Sequence, residues 1–189
     1  MKVILIGYRS SGKSTIGAIL SKKLKIPFVD SDQIIVEEEG MPIKEFVARH
    51  GWEAFRAKET KVIASICSMN PCVVATGGGA VMAAGNRELL KKSGTLIYLK
   101  TPLRDIVERL KRDSQNEQTR PQFTAESLEE ETMAVLKERI PVYESIADFT
   151  VDTDGKNVIR VSDDIYQYLS NTGIVSDIKK LKKRFIRNL

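Results

Sequence analysis

Cysteine, histidine and tryptophan are nearly missing from this chain: two, one and one residues among 189. Two cysteines, Cys67 and Cys72, cannot build a disulfide framework, and their spacing matches neither zinc-ligand nor redox pairs. They read as small buried hydrophobes in a reducing compartment. The lone His50 sits with Gly51 and Trp52 at a break between two helical patterns, so catalysis by histidine is not expected. Long hydrophobic runs are absent as well. Only Val3 to Ile6 follow Met1 and Lys2 before Gly7, too short for a signal-peptide core, and no stretch approaches the roughly eighteen residues of a spanning helix. The expected compartment is the cytoplasm, with no membrane partner.

The remaining composition is ordinary for a globular chain of about one domain, with 42% apolar, 29% charged and 6% aromatic residues. A net charge of +5 and a pI near 9.1 suggest, at face value, an acidic partner such as nucleic acid. Residues 176–189, however, hold Lys179, Lys180, Lys182, Lys183, Arg184 and Arg187 against the single acid Asp177. The whole excess lies there, and residues 1–175 are balanced. No nucleic-acid partner is therefore expected for the body. Ile178, Leu181 and Phe185 recur in this tail at helical spacing, which fits either a loosely packed extension or a short basic amphipathic helix for an acidic surface.

Val3–Ile6 is a continuous β-branched and aliphatic run, as in a strand buried on both faces, and Gly7 breaks it. Ile16, Ile19, Leu20 and Leu24 then recur at helical spacing. Strand, glycine loop and helix open a parallel α/β unit. Further strands are expected at 27–29, 72–75, 95–99 and 149–151. Helices are expected at about 43–50, from Gly51 to Ser68, at 86–92 ended by Gly94, at 102–112, at 128–140 stopping before Pro141, and at 163–169. Ser127 and Glu130 have capping-box spacing. The polar stretch 113–125 is long for a connection and reads as a linker or a functional loop, and Asn171-Thr172-Gly173 marks a boundary.

Gly7-Tyr8-Arg9-Ser10-Ser11-Gly12-Lys13-Ser14 fits G-x-x-x-x-G-K-[ST] without a gap. Backbone N–H groups of such a loop converge on phosphate oxygens, which glycines permit by tolerating positive φ and lacking a Cβ. Lys13 reaches the β- and γ-phosphates, Ser14 ligates Mg²⁺, and the helix that starts there adds its positive end. The loop identifies how a phosphoryl donor is held, not who receives the group.

Asp30 and Asp32 follow the second strand; on an extended segment, alternation would put both carboxylates on one side at the strand's carboxyl end. One can hold the Mg²⁺ shell while the other orients or deprotonates a hydroxyl. Their bland alternative is a helix N-cap plus a solvated acid. Gly77-Gly78-Gly79 follows the third strand, and three glycines there imply that a ligand or another segment comes close to the main chain.

Taken with Phe55-Arg56, Arg120-Pro121 and Arg139-Ile140-Pro141-Val142-Tyr143, these features resemble the shikimate kinase family over about residues 1–170. The resemblance implies a P-loop kinase of the nucleoside-monophosphate-kinase type: five parallel strands ordered 2-3-1-4-5 and flanked by helices. It also implies a substrate-binding helical insertion near 31–62 and a lid near 112–125, with 171–189 left as a basic extension. The implied partners are ATP with Mg²⁺ and shikimate, acting on a monomer. Carried over by position, Ser10, Ser11, Gly12, Lys13, Ser14 and Thr15 hold the nucleotide, while Arg109 and the 152–158 loop flank adenine. Ser14 and Asp30 address the metal. Asp32 binds the acceptor hydroxyls as base or orienter, Arg56 and Arg139 clamp its carboxylate, and an N–H of Gly77, Gly78 or Gly79 contacts it. Arg120 closes with the lid on the transferring phosphoryl group, so that Lys13, Asp32 and Arg120 form the catalytic set.

Three positions depart from the family pattern. Ser10 stands where glycine is usual, which a negative φ would tolerate. Gln122-Phe123 replaces paired leucines after Pro121, and the basic tail is extra. Two other functions fit part of the pattern: the same fold acting on gluconate or another polyol, and a nucleotide-dependent binding module whose tail engages a partner.

Overall fold

The computed structural model describes residues 1–69, 71–114 and 128–187. In chain order they form β1 (Lys2–Ile6), α1 (Lys13–Leu24), β2 (Phe28–Asp30), α2 (Ser31–Glu39), α3 (Ile43–Ser68), β3 (Val73–Ala75) and a 3-10 turn at Ala80–Met82. These are followed by α4 (Ala84–Ser93), β4 (Gly94–Lys100), α5 (Leu103–Ser114), α6 (Leu128–Ile146), β5 (Phe149–Asp152), α7 (Val158–Asn171) and α8 (Ile174–Arg187). The five strands make one parallel sheet in the order 2-3-1-4-5, as the resemblance implied.

β1 is central because it has no polar face to offer solvent, and Val3 to Ile6 are all fully buried. Its alternation divides the core. Ile4 and Ile6 join the cluster that α3, α4 and α6 lay on one face, while Val3 and Leu5 join the cluster of α1, α7 and α8 on the other. The loops at the carboxyl ends of β1, β2, β3 and β4 consequently gather at one edge, the crevice where parallel sheets take ligands.

Several local expectations change under tertiary packing. β2 ends at Asp30, whose side chain accepts the N–H groups of Asp32 (3.0 Å) and Gln33 (3.4 Å) and so caps α2. Asp32 thus lies in the first turn of a helix, not on an extended segment. α6 does not stop before Pro141 but continues to Ile146. An interior proline removes a hydrogen bond and costs about 3 kcal/mol, and burial of Tyr143 and Ile146 in the core beyond it offsets that loss. Gly94 ends α4 as expected, its N–H donated to the Leu90 carbonyl, and is at once the first residue of β4 at φ 179°; a Cβ there would stand 2.3 Å from the Lys2 carbonyl oxygen. The break at Gly51 is as expected, with φ 82° and ψ 168° between the two halves of α3.

The tail is less separate than its charge suggests. α8 follows α7 after Gly173, and Val175 and Ile178 are buried in the cluster shared with α1 and α7. Ser127 and residues 115–125, which include Arg120 and most of the expected lid, lie outside the described residues.

Candidate active site

The loop from Gly7 to Gly12 turns on three residues of positive φ: Gly7 (143°), Ser10 (58°) and Gly12 (93°). The negative φ under which a serine would be tolerated at position 10 is not found. This position is left-handed, where a side chain costs roughly 1–2 kcal/mol, and glycine would be at ease. Arg109, from α5, donates to the Ser10 carbonyl at 3.1 Å and braces that turn. Lys13 lies at the start of α1, mostly buried, with Nζ donating to the carbonyls of Gly7 (2.9 Å) and Tyr8 (2.6 Å) and to Ser11 Oγ (3.3 Å).

Across the loop, Ser14 Oγ donates to Asp30 Oδ2 at 2.5 Å, while the other oxygen of Asp30 caps α2. A hydroxyl and a carboxylate oxygen side by side are donors suited to a hard, oxygen-seeking cation such as Mg²⁺, which keeps waters and substrate phosphates as its other ligands. The residues present therefore fit that ion. Asp32 faces the same space from the first turn of α2. One cleft of about 360 Å³ is lined by Arg9, Ser10, Gly12, Lys13, Ser14, Thr15, Asp30, Asp32, Thr76, Gly78 and Arg109.

The glycine turn is as closely approached as its composition implied, but by the protein's own segments. None of Gly77, Gly78 and Gly79 has a positive φ. A Cβ on Gly78 would stand 2.9 Å from Arg9 N in the phosphate loop, and one on Gly79 would stand 2.6 Å from Arg56 Nη1. The N–H of Gly77 is already donated to the buried Ser31 Oγ at 2.8 Å, so among these three it is not the one left for a ligand.

Arg56, Arg139, Ser11, Gly77 and Gly79 do not line the cleft itself. Arg56 packs on Gly79, lies 5.5 Å and 5.3 Å from the rings of Trp52 and Phe55, and donates to the buried Glu59 at 2.6 Å. Arg139 reaches the ring of Tyr8 at 5.7 Å. Tyr143 Oη donates to the Gly78 carbonyl at 2.5 Å, and burial pushes this hydroxyl far up, with Arg139 opposing the shift. Tyr98, stacked on Tyr143 at 5.0 Å, is pushed up to about 12 by burial and by Glu144.

Arg9 and Thr76 line the cleft without having been expected there, Arg9 because it fills a position where the loop motif accepts anything. Arg9 pairs with Glu131 of α6 at 3.4 Å, an acid with no exposed surface, and lies 5.7 Å from the Tyr8 ring. Ser31, Glu59 and Glu131 were also missed. The only available signal was the i,i+3 spacing of Arg56 and Glu59, which surface pairs share.

Comparison with known proteins agrees with this arrangement. A family model described as shikimate kinase matches residues 9–170. Shikimate kinase of Legionella pneumophila (strain Corby) is 42% identical over 167 residues, covering 88% of this chain and 93% of that one. Shikimate kinase of Syntrophus aciditrophicus is 38% identical over 171 residues, covering 86% and 88%. Among solved structures, shikimate kinase from Acinetobacter baumannii in complex with shikimate superposes with a TM-score of 0.84 at 33% identity, covering 90% of this chain and 93% of that one. A gluconokinase from Sinorhizobium meliloti shares the fold alone, at TM-score 0.51 and 16% identity, covering 99% and 96%. With its phosphate loop, paired aspartates and Gly78 in one cleft, this chain belongs to the shikimate kinase family.

Proposed function

We propose that this chain transfers the γ-phosphoryl group of ATP to the 3-hydroxyl of shikimate, yielding ADP and shikimate 3-phosphate for aromatic amino acid biosynthesis. The observation that carries this reading is the single cleft lined from one side by Lys13, Ser14 and Thr15 and from the other by Asp32 and Gly78. Donor and acceptor machinery face each other there, within a family whose curated members carry this name.

The loop N–H groups and the positive end of α1 cradle the phosphates, and Lys13 turns from the loop carbonyls to the β- and γ-phosphates. Ser14 and Asp30 would hold Mg²⁺, which when bound neutralises charge on the phosphate oxygens. Asp32 accepts the proton of the attacking hydroxyl or fixes its direction. Arg56 and Arg139 take the acceptor carboxylate; a guanidinium has five N–H donors, so Arg56 can serve Glu59 and a substrate together. A glycine-turn N–H, that of Gly78, contacts the acceptor, and Arg109 and the 152–158 loop flank adenine. Arg120 closes on the phosphoryl group, excluding water that would otherwise hydrolyse ATP. The enzyme acts as a cytoplasmic monomer without a nucleic-acid partner, and no helix among the described residues is long and apolar enough to cross a membrane.

A coupled assay at fixed Mg-ATP with shikimate, gluconate or no acceptor tests the reading. Turnover should require shikimate. ATP binding without transfer to shikimate, or faster transfer to gluconate, overturns it.

A further inference from the structure

The run from Arg139 to Tyr143 ends on a side chain that the mechanism above leaves idle. Arg139 and Tyr143 are four residues apart on α6, one above the other on the same helical face. Tyr143 has no exposed surface and stacks on Tyr98. A phenol buried so deeply needs hydrogen-bond partners. Its hydroxyl donates to the carbonyl oxygen of Gly78 at 2.5 Å, and the positive charge of Arg139, one turn earlier on the same face, opposes the upward shift that burial imposes on it. With its single proton given to Gly78, the hydroxyl has only lone pairs to offer the guanidinium, which has N–H donors and no acceptor.

Both partners are acceptor-side elements. Gly78 lines the cleft, and fixing its carbonyl fixes the plane of the Gly78–Gly79 peptide. The Cα of Gly78 lies in that plane, so the same bond limits where the Gly78 N–H, the one assigned to the acceptor, can swing. Arg139 lies over the Tyr8 ring and on the helical face of Tyr143. The glycine turn follows β3 and Arg139 comes from α6, so nothing in the backbone between them sets their spacing.

We propose that Tyr143 is a positioning residue for the acceptor: its hydroxyl joins the Arg139 guanidinium to the glycine turn and holds the two in one geometry. The inference rests on the reading that these two elements bind shikimate. It also accounts for why α6 runs past Pro141, since a helix that stopped there would not carry Tyr143 to Gly78 in register with Arg139.

Tyr143→Phe deletes the hydroxyl and keeps the ring on Tyr98. The expected result is a rise of about tenfold in KM for shikimate with KM for ATP unchanged. An activity-free readout comes from Trp52, the sole tryptophan, whose ring lies 5.5 Å from Arg56; its fluorescence should report shikimate binding weakened to the same degree. In an Arg139→Ala background, Tyr143→Phe should add much less than tenfold. A purely structural role would lower the melting temperature without separating the two KM values, and that outcome overturns the proposal. So does an unchanged KM for shikimate in Tyr143→Phe when Arg139→Ala raises it. Unchanged shikimate binding in Arg139→Ala itself overturns the underlying assignment of the acceptor site.

Discussion

Gly78 and Gly79 are adjacent, yet of the two only Gly78→Ala should impair ATP. At Gly79 the new Cβ would lie 2.6, 2.7 and 2.8 Å from Arg56 Nη1, Nη2 and Cζ. Ordinary carbon contacts begin near 3.5 Å, so the guanidinium must retreat by roughly 0.8 Å. The backbone does not object, since Gly79 sits at φ −102°, ψ −5°. Arg56 is not free to move at no cost, because it is bonded to Glu59, which has 1% of its surface exposed. Loosening a hydrogen bond between charged groups costs about 1.5–3 kcal/mol, equivalent to roughly 10- to 150-fold in affinity at 1.4 kcal/mol per decade. At Gly78 the Cβ would meet backbone instead, 2.9 Å from Arg9 N and 3.3 Å from Tyr8 C. Main chain cannot swing aside, so the phosphate loop itself must shift. Steady-state kinetics with each substrate varied separately should show Gly79→Ala raising KM for shikimate at least tenfold with KM for ATP nearly constant. Gly78→Ala should raise KM for ATP and lower kcat. Equal effects on both substrates from Gly79→Ala would refute the reasoning, as would wild-type ATP kinetics in Gly78→Ala.

Further outcomes follow from other parts of the molecule. Asp32→Asn should lower kcat by 10²–10⁴-fold if the carboxylate takes the proton, with ATP binding measured by calorimetry little changed. Ile178→Ala should destabilise the fold by about 2–5 kcal/mol, read from urea unfolding, because Ile178 is 1% exposed; removal of residues 176–189 should accordingly lower the melting temperature. Ser10→Gly should stabilise the protein by roughly 0.5 kcal/mol, relief of the left-handed strain exceeding the added chain entropy. At alkaline pH, Tyr98 ionises near 12 in the folded protein and near 10 unfolded. The folded state thus binds the extra proton between those values, and the corresponding stability, roughly 3 kcal/mol, is present below pH 10 and lost as pH rises towards 12. Melting temperature against pH, followed with tyrosinate absorbance, checks the direction.

The sheet and the phosphate loop were legible because their determinants are local. A run such as Val3–Ile6 has no polar face, and Gly7–Ser14 is contiguous, so neither depends on what packs nearby. The start of α2 at Ser31 was legible only as the second reading, a helix N-cap, because Asp30 and Asp32 alternate acceptably on a strand until the Asp30 side chain caps the helix. Proline is normally a stop signal, and only the buried partners of Tyr143 and Ile146 carry α6 beyond Pro141. Buried acids such as Glu59 and Glu131 look like surface charges in a sequence, since their partners Arg56 and Arg9 are recognised only in three dimensions. The triple glycine was read correctly as a place of close approach, while the approaching groups, a backbone nitrogen and a guanidinium, lay on other segments.

The carboxylate of Asp30 is divided between two sides of the cleft. Its Oδ2 accepts the hydrogen bond of Ser14 in the phosphate loop, and its Oδ1 accepts that of the N–H of Asp32, the residue assigned to the acceptor. Any displacement of α2 that re-aims Asp32 must therefore drag an oxygen away from Ser14. Redesign for a differently shaped acceptor would be obstructed if attempted through α2. The side chains of α3, which bears Arg56 and has no bond to Ser14, are the surface on which acceptor preference can drift while the phosphate end stays intact.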